Sequence, residues 1–98
     1  MRATSAEPEI AASARPTIGR GFRLQWEPAQ QTHVLLYPEG MVKLNLSAGE
    51  IMKRCDGART VREIVADLEA SFGAADLARD VTAFMVFAVS KNWLVIGE

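Results

Sequence analysis

His33, Cys55 and the carboxylates Glu63, Asp67 and Glu69 are the side chains of this sequence suited to proton transfer, nucleophilic attack or metal ligation. Such chemistry needs company: a nucleophile with a base, carboxylates of separated acidity, or several ligands around one ion. The spacing withholds it. His33 is the single histidine, with no nearby cysteine to complete a metal site, and reads as a strand-end residue. Cys55 falls near the end of a helix, where the negative end of the dipole holds a thiol protonated, so it reads as a packing residue. Glu63, Asp67 and Glu69 share the polar side of a helix, which is the pattern of a solvated face. Asp56-Gly57 reads as a turn, and no glycine-rich phosphate loop is present. The expectation is a protein with no catalytic residues, no metal site and no cofactor of its own.

The chain of 98 residues fits one domain, because neither half alone would have interior enough to offset its ordering entropy. Hydrophobic residues at 49% and charged residues at 23% place it among ordinary folded proteins. Eleven Lys+Arg against twelve Asp+Glu give a formal charge of -1, which argues against nucleic acid or an anionic membrane as a partner. No apolar run approaches the roughly 20 residues that span a bilayer, and the start lacks the apolar h-region of a secretory signal, since Ala3, Thr4, Ser5, Glu7, Pro8 and Glu9 interrupt it. With a lone cysteine, these features predict a cytoplasmic protein.

Residues 1–17 carry few large apolar side chains and are expected to form a flexible tail ahead of a domain over residues 18–98. Phe22, Leu24 and Trp26 alternate with Arg23, Gln25 and Glu27 as in a half-buried strand. A second strand, Val34-Leu35-Leu36-Tyr37, is joined by the turn Pro38-Glu39-Gly40 to a third over residues 41–46, with Val42, Leu44 and Leu46 on one face. Ser47 and Glu50 have the spacing of a capping box for a short first helix ending near Gly57. A second box, Thr60 and Glu63, opens a helix with Val61, Ile64, Val65, Leu68 and Phe72 on one side, stopped by Gly73. The third helix is expected from about Asp76 to Lys91, with Leu77, Val81, Phe84, Met85 and Ala88 facing inward. Trp93-Leu94-Val95-Ile96 reads either as a closing strand or as a pinned tail. The fold class is α+β, a three-stranded antiparallel sheet followed by a three-helix bundle.

Two surfaces exceed what a core requires. Residues 83–89 are apolar without a break, so the third helix has a second face, carrying Asp80, Ala83 and Phe87. The third strand, if it lies at the sheet edge, offers free amides and carbonyls to an incoming chain. Phe87→Ala is then expected to remove a pocket wall and Val42→Pro an edge amide.

The run Leu36-Tyr37-Pro38-Glu39-Gly40-Met41-Val42-Lys43-Leu44-Asn45, with Ser47-Ala48-Gly49-Glu50-Ile51 and Cys55-Asp56-Gly57, resembles the central signature of the PqqD family. The likeness continues through Thr60-Val61-Arg62-Glu63-Ile64-Val65 to Lys91-Asn92-Trp93-Leu94 and covers roughly residues 17–97. It implies a winged-helix-like domain that acts as a peptide chaperone in pyrroloquinoline quinone (PQQ) biosynthesis. Such a domain is a recognition element for a ribosomally made, post-translationally modified peptide (RiPP). It would bind the precursor peptide PqqA between its third strand and third helix, and present it to the radical S-adenosylmethionine enzyme PqqE. The iron–sulfur clusters and S-adenosylmethionine belong to that enzyme. Carried over, the peptide-binding residues are Val42, Lys43, Leu44 and Asn45 on the strand and Asp80, Ala83, Phe84 and Phe87 on the helix. Lys43 would pair with an acidic group on the ligand or remain a solvated edge lysine. Glu63, Asp67 and Glu69 are available for the enzyme contact, and the exposed edge predicts a homodimer at high concentration.

Two other functions fit the element order. A winged-helix DNA-binding protein would need an exposed basic recognition helix, yet the third helix has only Arg79 and Lys91 near its ends. A quinone-binding protein would gather Trp26, Trp93 and the phenylalanines into one stacking pocket.

Overall fold

A computed structural model describes residues 10–97 of the chain. Five strands and three helices follow in order: β1 (Arg15–Ile18), β2 (Arg23–Glu27), β3 (Thr32–Tyr37), β4 (Gly40–Lys43), α1 (Leu46–Met52), α2 (Val61–Phe72), α3 (Ala78–Ser90) and β5 (Leu94–Gly97). The expected three-stranded antiparallel sheet is β2-β3-β4, with α1, α2 and α3 after it. A second sheet joins β1 to β5, pairing Thr17 with Val95 and Ile18 with Leu94. Trp93-Leu94-Val95-Ile96 thus leads into a strand and is not a pinned tail.

The tail boundary moves. Residues 1–9 lie outside the described residues, but Ile10 packs on the core and Ala14 is buried. The cause is backbone chemistry, invisible to composition. The first amides of a helix lack intrahelical acceptors. At α2 the Val61 amide donates to the Ala14 carbonyl (2.9 Å) and the Arg62 amide to that of Ala12 (3.0 Å). The Glu63 amide donates to Thr60 Oγ1 (3.2 Å), and Glu63 Oε1 accepts from the Thr60 amide (2.8 Å), which completes the expected capping box. At the other end Gly73 has φ 60°, the left-handed stop.

The start of α1 differs from expectation. Asn45, not Ser47, is the N-cap, and its Oδ1 accepts from the Ala48 amide at 2.8 Å. β4 ends at Lys43 and α1 begins at Leu46, so the helix starts before Ser47 can cap it. Leu46 consequently leaves the face of Val42 and Leu44 and stands 70% exposed. α1 also crosses β3 closely. A Cβ on Gly49 would lie 2.7 Å from His33 Nδ1, so only glycine fits beneath that ring. The start of α3 moves to Ala78, because Asp76 takes a left-handed φ of 60° and Leu77 is the N-cap.

The core joins Leu35 and Leu44 of the sheet region to Ile51 and Met52 of α1, Ile64 and Leu68 of α2, and Val81, Met85 and Ala88 of α3. Beside it lies Arg54, a buried charge. Its Nε donates to Asp67 (2.6 Å), its Nη1 to both the Glu50 carbonyl and carboxylate (2.8 Å each), and its Nη2 to Ser71 (3.2 Å). Released from the cap, Glu50 is free to take this role. The guanidinium clips the end of α1 to the polar side of α2, and its hydrogen bonds hold the Glu50 and Asp67 carboxyls below the usual carboxylate range.

Removing Arg54 leaves Glu50 without its main partner, so Arg54→Met is expected to lower the unfolding free energy at pH 7 by about 1–3 kcal/mol. Both carboxyls have a lowered pKa in the folded state, so their contribution is present above about pH 4 and is lost as pH falls through the depressed values. Urea unfolding at pH 7 and pH 3 should show a smaller acid loss in Arg54→Met than in the parent protein; an equal loss would place the acid sensitivity elsewhere.

Candidate functional site

β4 is the last strand of its sheet, and among the described residues no other segment bonds to its outer edge. Its register decides which groups that edge presents. Leu35 lies opposite Val42 and Leu36 opposite Met41. The Leu44 amide donates to the His33 carbonyl at 3.0 Å, so this opposed pair is a hydrogen-bonded one. Hydrogen-bonded and non-bonded pairs alternate along an antiparallel ladder. Val42 therefore spends its amide and carbonyl on Leu35, whereas Met41 and Lys43 point theirs away from the sheet. Val42 is not an edge amide, and Val42→Pro would break the ladder itself; Lys43 is the position at which proline removes an outward donor.

Beside this edge runs a groove of about 570 Å³. Val42 and Leu44 form one wall, Ile51 and Leu68 lie toward the core, and Leu77, Val81, Phe84 and Phe87 form the other wall. Three large apolar side chains around it remain well exposed: Leu46, Phe72 at 50% and Phe87 at 48%. Such a patch marks a binding surface more often than an isolated exposed leucine does. Phe87 is braced edge-on against Trp93, ring centroids 5.4 Å apart, and Lys91 Nζ lies 5.6 Å from its ring centre.

Of the residues expected at the cleft, Val42, Lys43, Leu44, Asn45, Asp80, Phe84 and Phe87 line this groove, and Ala83 does not. A helix turns about 100° per residue, which sets Ala83 about 60° from Asp80 on the side away from Phe84. Asn45 lines the groove with its side chain already committed to the α1 cap. Leu46, Phe72 and Trp93 were missed: Leu46 was read as strand, and Phe72 and Trp93 have no local signal that separates a groove wall from a core.

The residues with chemical potential lie elsewhere. Cys55 is buried, its thiol donates to the Ile51 carbonyl (3.2 Å), and burial, with Asp56 nearby, pushes its pKa to about 12, leaving no thiolate at neutral pH. His33 packs edge-on to Trp26, 5.0 Å between centroids, on the sheet opposite Gly49. Trp26 and Trp93 thus belong to different clusters, and the aromatics do not gather into one stacking pocket. Glu63 caps α2, Asp67 holds Arg54, and Glu69 Oε2 accepts from the Leu77 amide (3.0 Å), so each carboxylate expected to be free for an enzyme contact has a partner within the fold. Among the described residues no group of three His, Cys, Asp or Glu side chains could hold a metal ion, and no helix is long and apolar enough to cross a membrane.

Residues 32–94 match the family described as coenzyme PQQ synthesis protein D (PqqD). The chain is 52% identical over 87 residues to the PqqA binding protein of Stutzerimonas stutzeri, covering 88% of this chain and 95% of that one. It is 54% identical over 80 residues to the PqqA binding protein of Pseudomonas aeruginosa, covering 81% and 87%. The fold is similar to the solution structure of the PqqD truncation of Methylobacterium extorquens PqqCD, described as a functional and stand-alone RiPP recognition element. That match has a TM-score of 0.68 and 30% identity, and covers 82% of this chain and 87% of that one. The heterocyclase TruD shares the fold at TM-score 0.65 and 20% identity over 85% of this chain and 11% of its own. Sequence and overall fold agree, and the chain belongs to the PqqD family.

Proposed function

We propose that this chain binds the PqqA peptide as an added strand on β4 and presents it to the radical S-adenosylmethionine enzyme PqqE in PQQ synthesis. The observation that carries this reading is the pairing of an unbonded strand edge at Met41 and Lys43 with a groove bordered by Leu46, Phe72 and Phe87. Edge backbone groups supply register and affinity in strand addition, and pockets for alternate side chains supply selection. The relatives named as PqqA binding proteins supply the ligand. The chain itself takes no part in bond making: it holds the peptide extended, leaves one of its edges open, and so offers the substrate to an enzyme that carries the cofactors.

Completing the burial of a half-exposed phenylalanine contributes about 1–2 kcal/mol, so Phe87→Ala is expected to weaken PqqA binding about 5- to 30-fold in calorimetry. Lys43→Pro is expected to stay folded and lose about 2- to 10-fold through one edge hydrogen bond, whereas Val42→Pro should unfold or melt far lower. At limiting concentrations, PqqE turnover of PqqA should fall in the order of those affinities. Unchanged affinity in folded Phe87→Ala and Lys43→Pro proteins would remove the β4 groove from the function.

The same edge can accept β4 of a second copy, so a homodimer and the peptide would compete for it. Sedimentation velocity should show dimer at high protein concentration and monomer once PqqA is added; a dimer that persists at peptide saturation would place its interface elsewhere.

A further inference from the structure

The faces of an added strand on β4 would meet opposite electrostatics. Side chains opposite Val42 and Leu44 enter the groove, and the one opposite Lys43 lies on the outer face of the sheet, beside Lys43. On that outer face Val34 is only 2% exposed although it stands outside the core cluster. Its cross-strand neighbours are Gln25 and Lys43, whose aliphatic stems can cover it. Lys43 itself is exposed on the outermost strand, next to any residue that pairs opposite it, and among the described residues no carboxylate pairs with its ammonium.

An acid without an ion pair among the described residues, Asp80, stands on the groove side, and Glu50, which also lines it, is held by Arg54 at 2.8 Å and Lys53 at 3.4 Å. An acidic side chain on the groove face would meet Asp80 and apolar walls; on the outer face it would meet Lys43. Because strand faces alternate, a slip of one residue exchanges these environments.

We propose that Lys43 and Asp80 together set the register of the bound peptide, selecting a segment in which an acidic residue opposite Lys43 is flanked on both sides by apolar residues that enter the groove. The inference rests on the strand-addition reading above and deepens it into a ligand pattern.

The test is a set of synthetic PqqA peptides in which each residue in turn is replaced by Glu or by Lys. Binding to the parent protein and to Lys43→Glu is measured by fluorescence anisotropy. One peptide position should prefer Glu over Lys by about 2- to 5-fold on the parent and reverse that preference on Lys43→Glu, the scale of a cross-strand charge pair. Both its neighbours should reject either charge. If parent and Lys43→Glu rank the whole set identically while both bind unmodified PqqA, the register proposal fails and the groove reading stands. If unmodified PqqA binds neither protein, both fail.

Discussion

One side-chain hydrogen bond, from the Ala48 amide to Asn45 Oδ1, governs much of the functional surface. It turns the chain out of the sheet directly after β4 and starts α1 beneath β3. Among the described residues no later strand pairs with β4, and β5 joins β1 in a separate sheet, so the edge left where the chain turns into α1 stays open. Its polarity follows from the next contact inward, the Leu44 amide on the His33 carbonyl, which commits Val42 to the ladder and turns Met41 and Lys43 outward. An open edge is an aggregation hazard in a small protein, and here a lysine at its end and a groove at its side restrict what can pair with it.

The opposite wall depends on a helix with two apolar faces. Val81, Met85 and Ala88 fix α3 to the core, while Asp80, Phe84 and Phe87 look into the groove. Leaving aromatic surface half in water forgoes part of the burial it could contribute, a cost that a binding site carries until it is occupied. The Arg54 clip counters the resulting looseness from the other side. It ties the end of α1, which carries the groove residue Ile51, to α2, which carries Leu68 and Phe72. A buried guanidinium satisfied by Glu50, Asp67 and Ser71 fixes relative geometry more firmly than apolar contacts alone, since its donors accept few arrangements.

What the sequence makes legible is local. The alternation of β2, the Pro38-Glu39 turn, the Thr60–Glu63 box and the stop at Gly73 each depend on residues a few positions apart, and each is found where the pattern places it. Ser47 and Glu50 show the limit of that logic: the spacing is correct, but the end of β4 brings Asn45 to the cap first, and Glu50 turns to Arg54 instead. β1 and β5 were illegible as a pair because each has only four residues and their partners lie at opposite ends of the chain. Ala83, placed at the cleft by the family resemblance and by its spacing of one turn from Asp80 and Phe87, is turned about 100° from Phe84 by the rotation of α3 and does not line the groove. Which amides of β4 face outward is a property of pairing with β3, so no inspection of residues 41–45 alone could have found it.

Amide hydrogen exchange read residue by residue along β4, with and without saturating PqqA, tests the central claim most directly. In the free protein Val42 and Leu44 should be protected while Met41 and Lys43 exchange rapidly; adding the peptide should slow Met41 and Lys43 and leave the alternation otherwise intact. Peptide that binds at saturation yet leaves the Met41 and Lys43 amides exchanging as before would contradict strand addition at this edge.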